Sequence, residues 1–353
     1  MKSYDLLNWA TPLRVCTRET PTPKGTEVLL KLTHCGVCHT DVHVREGHYD
    51  LGDGKKLTFA DRGYTLPITP GHEPVGEVAA VGDAVRDIGV GQRYLVNPWI
   101  GCGNCVRCEA GDDNLCMHMS AVGFGRWGGF STHLLIRHPK YLVNIDGIPP
   151  DKAAPLSCSG LTTYSAIKKL SPLDPDDWVA VIGCGGLGTM AIAVLRGLGH
   201  KNIIACDLDD RKLESARASG ALETCNLGQK GPEELTLIAG GPLYAMLDFV
   251  GSPATLALAI PTLRKGGRFV VCGLLGGTAN IPIPLIAVRE IAIQGSIVGN
   301  TRDLVALVDL VKQGRIKLPE VERRSFAMVD QSLDDLAAGR IVGRVVVEID
   351  GRE

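Results

Sequence analysis

At 353 residues, 45% of them hydrophobic and 22% charged, the chain has the size and composition of a globular protein of about two domains. A net charge of −2 supplies no field for a polyanion, which argues against a nucleic-acid partner. No apolar run reaches the roughly 18 residues that a membrane-spanning helix needs, and the N-terminus lacks the apolar core and cleavage site of a secretory signal, so the expected compartment is the cytoplasm.

In chain order, residues 1–150 read as β-rich. Residues 28–32 (VLLKL) and 75–78 (VGEV) have strand character, and glycines and prolines punctuate this part closely, with few helical patterns. The pattern changes near residue 155. Residues 178–182 (WVAVI) form a short apolar strand, a glycine-rich turn follows, and 187–198 carries a helix pattern. Further strands are expected at 203–206, 245–250, 268–272 and 291–297, and a last one at 344–349. Strands alternating with helical segments imply a parallel sheet joined by right-handed crossovers. No internal repeat, low-complexity tract or long linker intervenes, so two closely packed domains with a cleft between them are expected.

Twelve cysteines are many for a chain of this size. A reducing compartment disfavours disulfides, so clustered cysteines read first as metal ligands or catalytic groups. Cys102, Cys105, Cys108 and Cys116 have the spacing C-x2-C-x2-C-x7-C. Four thiolates on one short loop can close a tetrahedron round a soft cation, the arrangement of structural zinc. The rival is an iron–sulfur cluster. Its usual run ends C-x3-C-P, whereas here the last gap is seven residues and Met117 follows Cys116. Such a lobe indicates a clamped loop and not a reaction.

Gly183-Cys184-Gly185-Gly186-Leu187-Gly188 matches G-x-G-x-x-G, and it follows a strand and opens a helix, as dinucleotide binding requires. Gly183 permits the tight turn. Gly185 lets the backbone approach a pyrophosphate at the helix N-terminus, and Gly188 allows close packing of helix on strand. Asp207 ends the next strand, 19 residues after Gly188. There its carboxylate can accept the adenosine ribose hydroxyls and repel a 2′-phosphate, which favours NAD over NADP. Arg211 and Lys212 lie close by and can tolerate a phosphate; Lys212 is counted among the candidate cofactor contacts.

Three further segments hold ligand-type residues: 35–43 (CGVCHTDVH), 71–73 (GHE) and 155–160 (PLSCSG). Each is weak alone, because a lone cysteine is more often a small buried hydrophobe. Spacing does not choose between Cys35 and Cys38. With the four-cysteine lobe and the dinucleotide turn in the same order over almost the full length, the chain resembles the zinc-containing medium-chain alcohol dehydrogenases. NPW (97–99), PLSCSGLTTY (155–164) and GSIVGN (295–300) are similar to the prokaryotic tetrameric, NAD-dependent members.

The resemblance implies an α/β fold. A Rossmann-type doubly wound parallel sheet would take residues 155–297, and a β-rich GroES-like catalytic domain with the structural zinc lobe would take 1–154 and 298–353. It implies two zinc ions per chain and NAD as cofactors, a small-molecule alcohol or carbonyl compound as partner, and a homo-oligomer, tetramer or dimer. Cys38, His72 and Cys158 are the implied ligands of a catalytic zinc, with the fourth position left to water or substrate; Cys35 is then no ligand. Glu73 sits beside the metal, and Asp41 is the implied partner that sets the His72 tautomer. Thr40 resembles the hydroxyl that takes the alcohol proton, and His43 the outer end of that relay. His39 and Arg344 resemble cationic contacts to the cofactor pyrophosphate, and Thr162 a contact beside the nicotinamide. Tyr49, Trp99, Leu274 and Ile297 are the implied walls of the substrate pocket.

The implied reaction is the reversible oxidation of an alcohol to an aldehyde or ketone, with hydride transfer to NAD. Residues 47–67 are extra relative to the animal-type enzymes and can cap the cleft, bind a partner subunit or cover surface. A polyol-type dehydrogenase of the same superfamily is one alternative, against which Cys158 argues, because polyol members commonly carry glutamate there. A zinc-free quinone or enone reductase would lack both cysteine sets. A non-catalytic zinc-stabilised NAD-binding protein has no use for an open metal position beside the Thr40 hydroxyl.

Overall fold

The strand Val28–Val37 is the spine of the first sheet, with Val28–Leu30 and Cys35–Val37 buried at its two ends. It pairs antiparallel with Glu73–Val81 along one edge, and with His133–Ile136 and Arg344–Glu348 along the other. Arg93–Val96 and Leu142–Asn144 extend the sheet beyond Glu73–Val81, and Val321–Ser325 runs parallel to Arg344–Glu348. The register sets Gly36 opposite both Glu73 and Val346. Three segments far apart in sequence therefore meet where the spine strand ends. This computed structural model describes residues 1–125 and 127–349; the last four residues of the 298–353 segment lie outside that range.

The short helix His39–Glu46 starts directly after the spine strand. Its N-cap Cys38 is extended (φ −123°, ψ 154°), and the Asp41 carboxylate three residues on accepts the Cys38 N–H at 3.0 Å. An acidic group at this place satisfies an otherwise orphaned donor and suits the positive end of the helix. Gly47, at φ +82°, ends the helix in the left-handed conformation that favours glycine. A hairpin follows, His48–Gly52 against Lys55–Thr58. Its turn is Asp53-Gly54, both at positive φ, as a two-residue type I′ turn requires.

The second sheet, among the described residues, has six parallel strands. Their order is Glu223–Asn226, Ile203–Asp207, Val179–Ile182, Leu243–Asp248, Leu263–Val271 and Ala292–Gly295. Val179–Ile182 and Leu243–Asp248 are buried at every residue, as strands covered on both faces must be. The expected strands at 178–182, 203–206, 245–250, 268–272 and 291–297 all fall in this sheet, and the helix pattern at 187–198 becomes Gly186–Gly197. The edge strand Glu223–Asn226 has no counterpart in the sequence reading. Its residues, ETCN, form no apolar run and only Cys225 is buried.

From Val179–Ile182 the chain crosses to Ile203–Asp207 on one side and later to Leu243–Asp248 on the other. That reversal is a switch point, where open α/β sheets bind ligands at their C-terminal strand ends. A cleft of about 1700 Å³ opens there, walled by both sheets. Among the described residues no helix is long and apolar enough to cross a membrane.

Candidate metal centre and cofactor cleft

Three local structures present the sulfur and nitrogen donors. Cys38 caps the His39–Glu46 helix, His72 precedes the strand Glu73–Val81, and Cys158 stands between the turn Ala154–Ser157 and the helix Ser159–Lys168. The Cys158 turn is held by its neighbours: Ser159 Oγ donates to the Pro155 carbonyl at 2.9 Å, and Trp99 Nε1 donates to the Ser157 carbonyl at 3.1 Å. The donor atoms of Cys38, His72 and Cys158, with a carboxylate oxygen of Glu73, lie within 4.8 Å of one another, all four residues buried. The two sulfurs are 3.9 Å apart.

Asp41 orients this cluster. Its Oδ1 accepts from His72 Nδ1 at 2.9 Å and from the Gly71 N–H at 3.0 Å. The proton thus sits on Nδ1, and Nε2 turns its lone pair towards the thiols. Nε2 is buried and has no hydrogen-bond partner within the protein. A buried imidazole nitrogen without a partner, aimed at two cysteines and held from behind by a carboxylate, is what a zinc site with two sulfurs and one nitrogen needs. Of the two thiols, Cys38 is held well below the usual thiol range by hydrogen bonding from Cys158 and by the nearby Arg344 charge, against the opposing effect of burial. Cys158 is pushed up by that same hydrogen bond and by burial. Cys35 packs instead in the core under the sheet, and burial pushes its thiol well up.

Glu73 and Arg344 form a buried ion pair. Burial pushes the Glu73 carboxyl up to about 7 against the pull of that guanidinium. Arg344 also lies against the start of the Gly186–Gly197 helix, where a Cβ on Gly186 would meet its side chain. The sequence reading placed Arg344 at the pyrophosphate and Glu73 at the metal; the structure joins the two in one contact.

The second cluster, Cys102, Cys105, Cys108 and Cys116, also brings its donor atoms within 4.8 Å. Sulfur–sulfur distances of 3.6–3.9 Å and backbone N–H groups of Cys102 and His118 pointing at Cys116 Sγ fit a four-thiolate cage. The lobe is tied to the rest of the chain by Asn300 to Asp112 at 2.9 Å and by Arg302 to the Ala110 carbonyl at 2.8 Å.

At the dinucleotide turn, Gly183 takes φ +87°, and a Cβ on Gly188 would collide with the Gly183 carbonyl. Nothing lies within 4 Å of a Cβ built on Gly185, so the backbone there is open to the cleft. Asp207 accepts the Cys184 N–H and the Leu208 N–H, each at 2.7 Å, and lines the cleft with Lys212. Arg211 is held by Asp209 at 2.7 Å.

Comparison with known proteins agrees with this layout. An alcohol dehydrogenase GroES-like domain matches residues 24–147, and a zinc-binding dehydrogenase domain matches residues 186–313. The NAD-dependent alcohol dehydrogenase of Sulfurisphaera tokodaii is 35% identical over 350 residues, covering 98% of this chain and 99% of that protein. The chain belongs to the zinc-containing alcohol dehydrogenase family. The NAD-dependent alcohol dehydrogenase of Saccharolobus solfataricus is 34% identical over 350 residues, with 98% and 99% of the two chains covered. The crystal structure of the alcohol dehydrogenase of Aeropyrum pernix matches with a TM-score of 0.89 and 30% identity, covering 99% of this chain and 100% of that one.

In this member of the alcohol dehydrogenase family, His39, Thr40, His43 and Thr162 all line the cleft. The His39 and His43 rings are 5.2 Å apart, and His43 packs against Tyr49 at 5.1 Å. Burial and the neighbouring His39 hold His43 below the ordinary imidazole value. Tyr49, Trp99, Leu274 and Ile297 line the same cavity. Trp99 is buried and 5.6 Å from the His72 ring, whereas Leu274 and Ile297 are exposed. Phe124, Leu115, Met119 and Arg62 also line the cavity. The sequence reading missed these four: they carry no motif, and only the folding of the lobe and hairpin brings them in.

Proposed function

We propose that the chain is an NAD-dependent zinc alcohol dehydrogenase that interconverts an alcohol with its aldehyde or ketone in the cleft between the two sheets. The observation that carries the reading is the convergence of Cys38, His72 and Cys158 on one point of a wall shared with Thr40 and the glycine turn. The NAD-dependent activity in the names of the most similar relatives supports it. Bound there, zinc would polarise the oxygen of the alcohol or carbonyl group, and NAD would carry the hydride.

Each residue then has a task. Cys38 and Cys158 offer sulfur, His72 offers Nε2, and Asp41 keeps the imidazole in the right tautomer. Thr40 accepts the alcohol proton and passes its own outward towards His43; a His43 ring kept neutral by its surroundings can receive it. Glu73 lies beside the metal, its charge balanced by Arg344. Gly183, Gly185 and Gly188 bring the helix N-terminus to the pyrophosphate, with His39 and Arg344 as its cations. Asp207 binds the adenosine ribose, Lys212 flanks it, and Thr162 contacts the nicotinamide. Tyr49, Trp99, Leu274 and Ile297 shape an apolar pocket that keeps water from the reacting carbon. The four-cysteine lobe would hold a structural zinc.

The same reading divides the chain into a catalytic unit, 1–154 with 298–353, and a cofactor unit, 155–297. It also implies a cytoplasmic homo-oligomer, tetramer or dimer; twelve unpaired cysteines are compatible with a reducing compartment. A spectrophotometric screen of primary, secondary and aromatic alcohols with NAD and NADP tests the activity. NAD reduction with at least one alcohol, lost in Thr40→Val, is expected. No turnover with any alcohol in zinc-replete protein would refute it.

A further inference from the structure

Building on the alcohol dehydrogenase reading, we propose that Arg62 selects alcohols that carry a carboxylate at the end remote from the carbinol. The outer wall of the cleft is the His48–Gly52/Lys55–Thr58 hairpin and the turn that follows it. That turn is anchored. Phe59 is fully buried, its ring 5.2 Å from Tyr49, 5.6 Å from Tyr64 and 6.1 Å from Phe124. Its carbonyl accepts the N–H groups of Arg62 at 3.1 Å and Tyr64 at 3.0 Å. The hairpin tip meets the other wall, where Asp53 accepts from the Thr278 hydroxyl at 3.2 Å. Arg62 is therefore displayed on a defined turn facing the cavity, beside Leu51, Leu57, Tyr49 and Tyr64.

The guanidinium has a ring for a neighbour but no ion-pair partner, although Asp50 lines the same cavity. It lies 5.6 Å from the Tyr64 ring centroid. Among the described residues no carboxylate forms an ion pair with it, and the nearby acids are engaged elsewhere. Asp61 accepts the Thr58 hydroxyl, Asp50 accepts the Gly52 N–H, and Asp53 is turned to Thr278. The same cavity is lined by Trp99, Phe124 and Tyr49; Phe124 is 5.6 Å from the His72 ring and 6.1 Å from Phe59, which in turn is 5.2 Å from Tyr49 and 5.6 Å from Tyr64, so a run of aromatic rings leads from the metal cluster towards this cation. Tyr49 lines the same cavity as Arg62, Cys38 and Cys158, its ring 5.1 Å from His43. An apolar corridor ending in a planar, five-donor fork suits a substrate with an apolar middle and a terminal carboxylate, which that fork binds through two parallel hydrogen bonds. Because Arg62 is exposed to water, a carboxylate reaches it without full desolvation, and the attraction is screened by salt.

The test is steady-state oxidation of ω-hydroxyalkanoates of increasing length, each set against the n-alkanol of equal length. The wild type should prefer the hydroxy acid at one chain length or more, with its KM rising as salt is added. Arg62→Gln should lower the ratio of kcat/KM for hydroxy acid over alkanol by about tenfold or more, with partial recovery in Arg62→Lys. A wild type that oxidises alkanols but favours no hydroxy acid, or an Arg62→Gln enzyme with an unchanged ratio, overturns the proposal. A wild type that oxidises neither class refutes the alcohol dehydrogenase reading, and this one with it.

Discussion

Asp41→Asn changes one atom behind the metal cluster. The aspartate accepts three hydrogen bonds, from Gly71 N–H and His72 Nδ1 on Oδ1 and from Cys38 N–H on Oδ2, and it is fully buried. Asparagine has a single acceptor oxygen. With that oxygen on the Oδ1 side, its NH2 faces the Cys38 N–H, and one buried donor loses its partner at a cost of about 1–3 kcal/mol. The two bonds that survive become neutral instead of charge-assisted, which weakens them by about 1 kcal/mol in sum. The expected loss of stability is therefore about 2–4 kcal/mol. The effect on the metal is separate: a His72 imidazole without its carboxylate is a poorer and less well-aimed donor, and zinc affinity should fall roughly 10- to 100-fold. Chelator-competition titration reads the affinity, and denaturant unfolding of the metal-free protein reads the stability. Wild-type affinity together with wild-type stability would refute the role given to Asp41.

Four further outcomes are expected. Cys105→Ser should lower the unfolding temperature and leave turnover per folded molecule largely intact; hydride transfer lost in a stably folded variant would contradict a purely structural lobe. Arg344→Met removes the cation that opposes the effect of burial on a carboxyl already at about 7, so Glu73 takes up a proton at neutral pH and the variant's destabilisation should grow as pH rises above 7; adding Glu73→Gln should abolish that pH dependence in a double-mutant cycle of unfolding free energies. Asp207→Ala should narrow the preference for NAD over NADP, measured as the ratio of kcat/KM values. Arg340, Gln331 and Arg324 hold Asp335 at about 2, against an ordinary value of 3.8. A folded value below the unfolded one means stability that is present above about pH 4 and lost as pH falls towards 2; Asp335→Asn should thus destabilise at neutral pH and lose its effect in strong acid.

The parallel sheet is legible in the sequence because buried strands such as Val179–Ile182 are continuous apolar runs set between helix patterns. Glu223–Asn226 is not, because an edge strand can be built from polar residues when the backbone ladder alone recruits it. The choice between Cys35 and Cys38 is absent from spacing. It is made where the spine strand ends: Cys35, still inside the strand, packs into the core beneath the sheet, and Cys38, past Val37, caps a helix facing the cleft. The Glu73–Arg344 pair is equally invisible, since it depends on the register that sets Gly36 between two strands 271 residues apart in sequence. Residues 47–67 read as extra material able to cap the cleft, bind a partner subunit or cover surface; the hairpin, the buried Phe59 that follows it and its contact with Thr278 make that segment one wall of the cleft.

That Cys38, His72 and Cys158 together hold a zinc ion on which turnover depends is tested most directly by elemental zinc analysis and alcohol-dependent NAD reduction, measured on the same preparations of wild type and Cys38→Ser. Two zinc ions per chain in the wild type, one in the variant, and no turnover in the variant are expected. A Cys38→Ser protein that keeps both ions and a near-normal rate would contradict it.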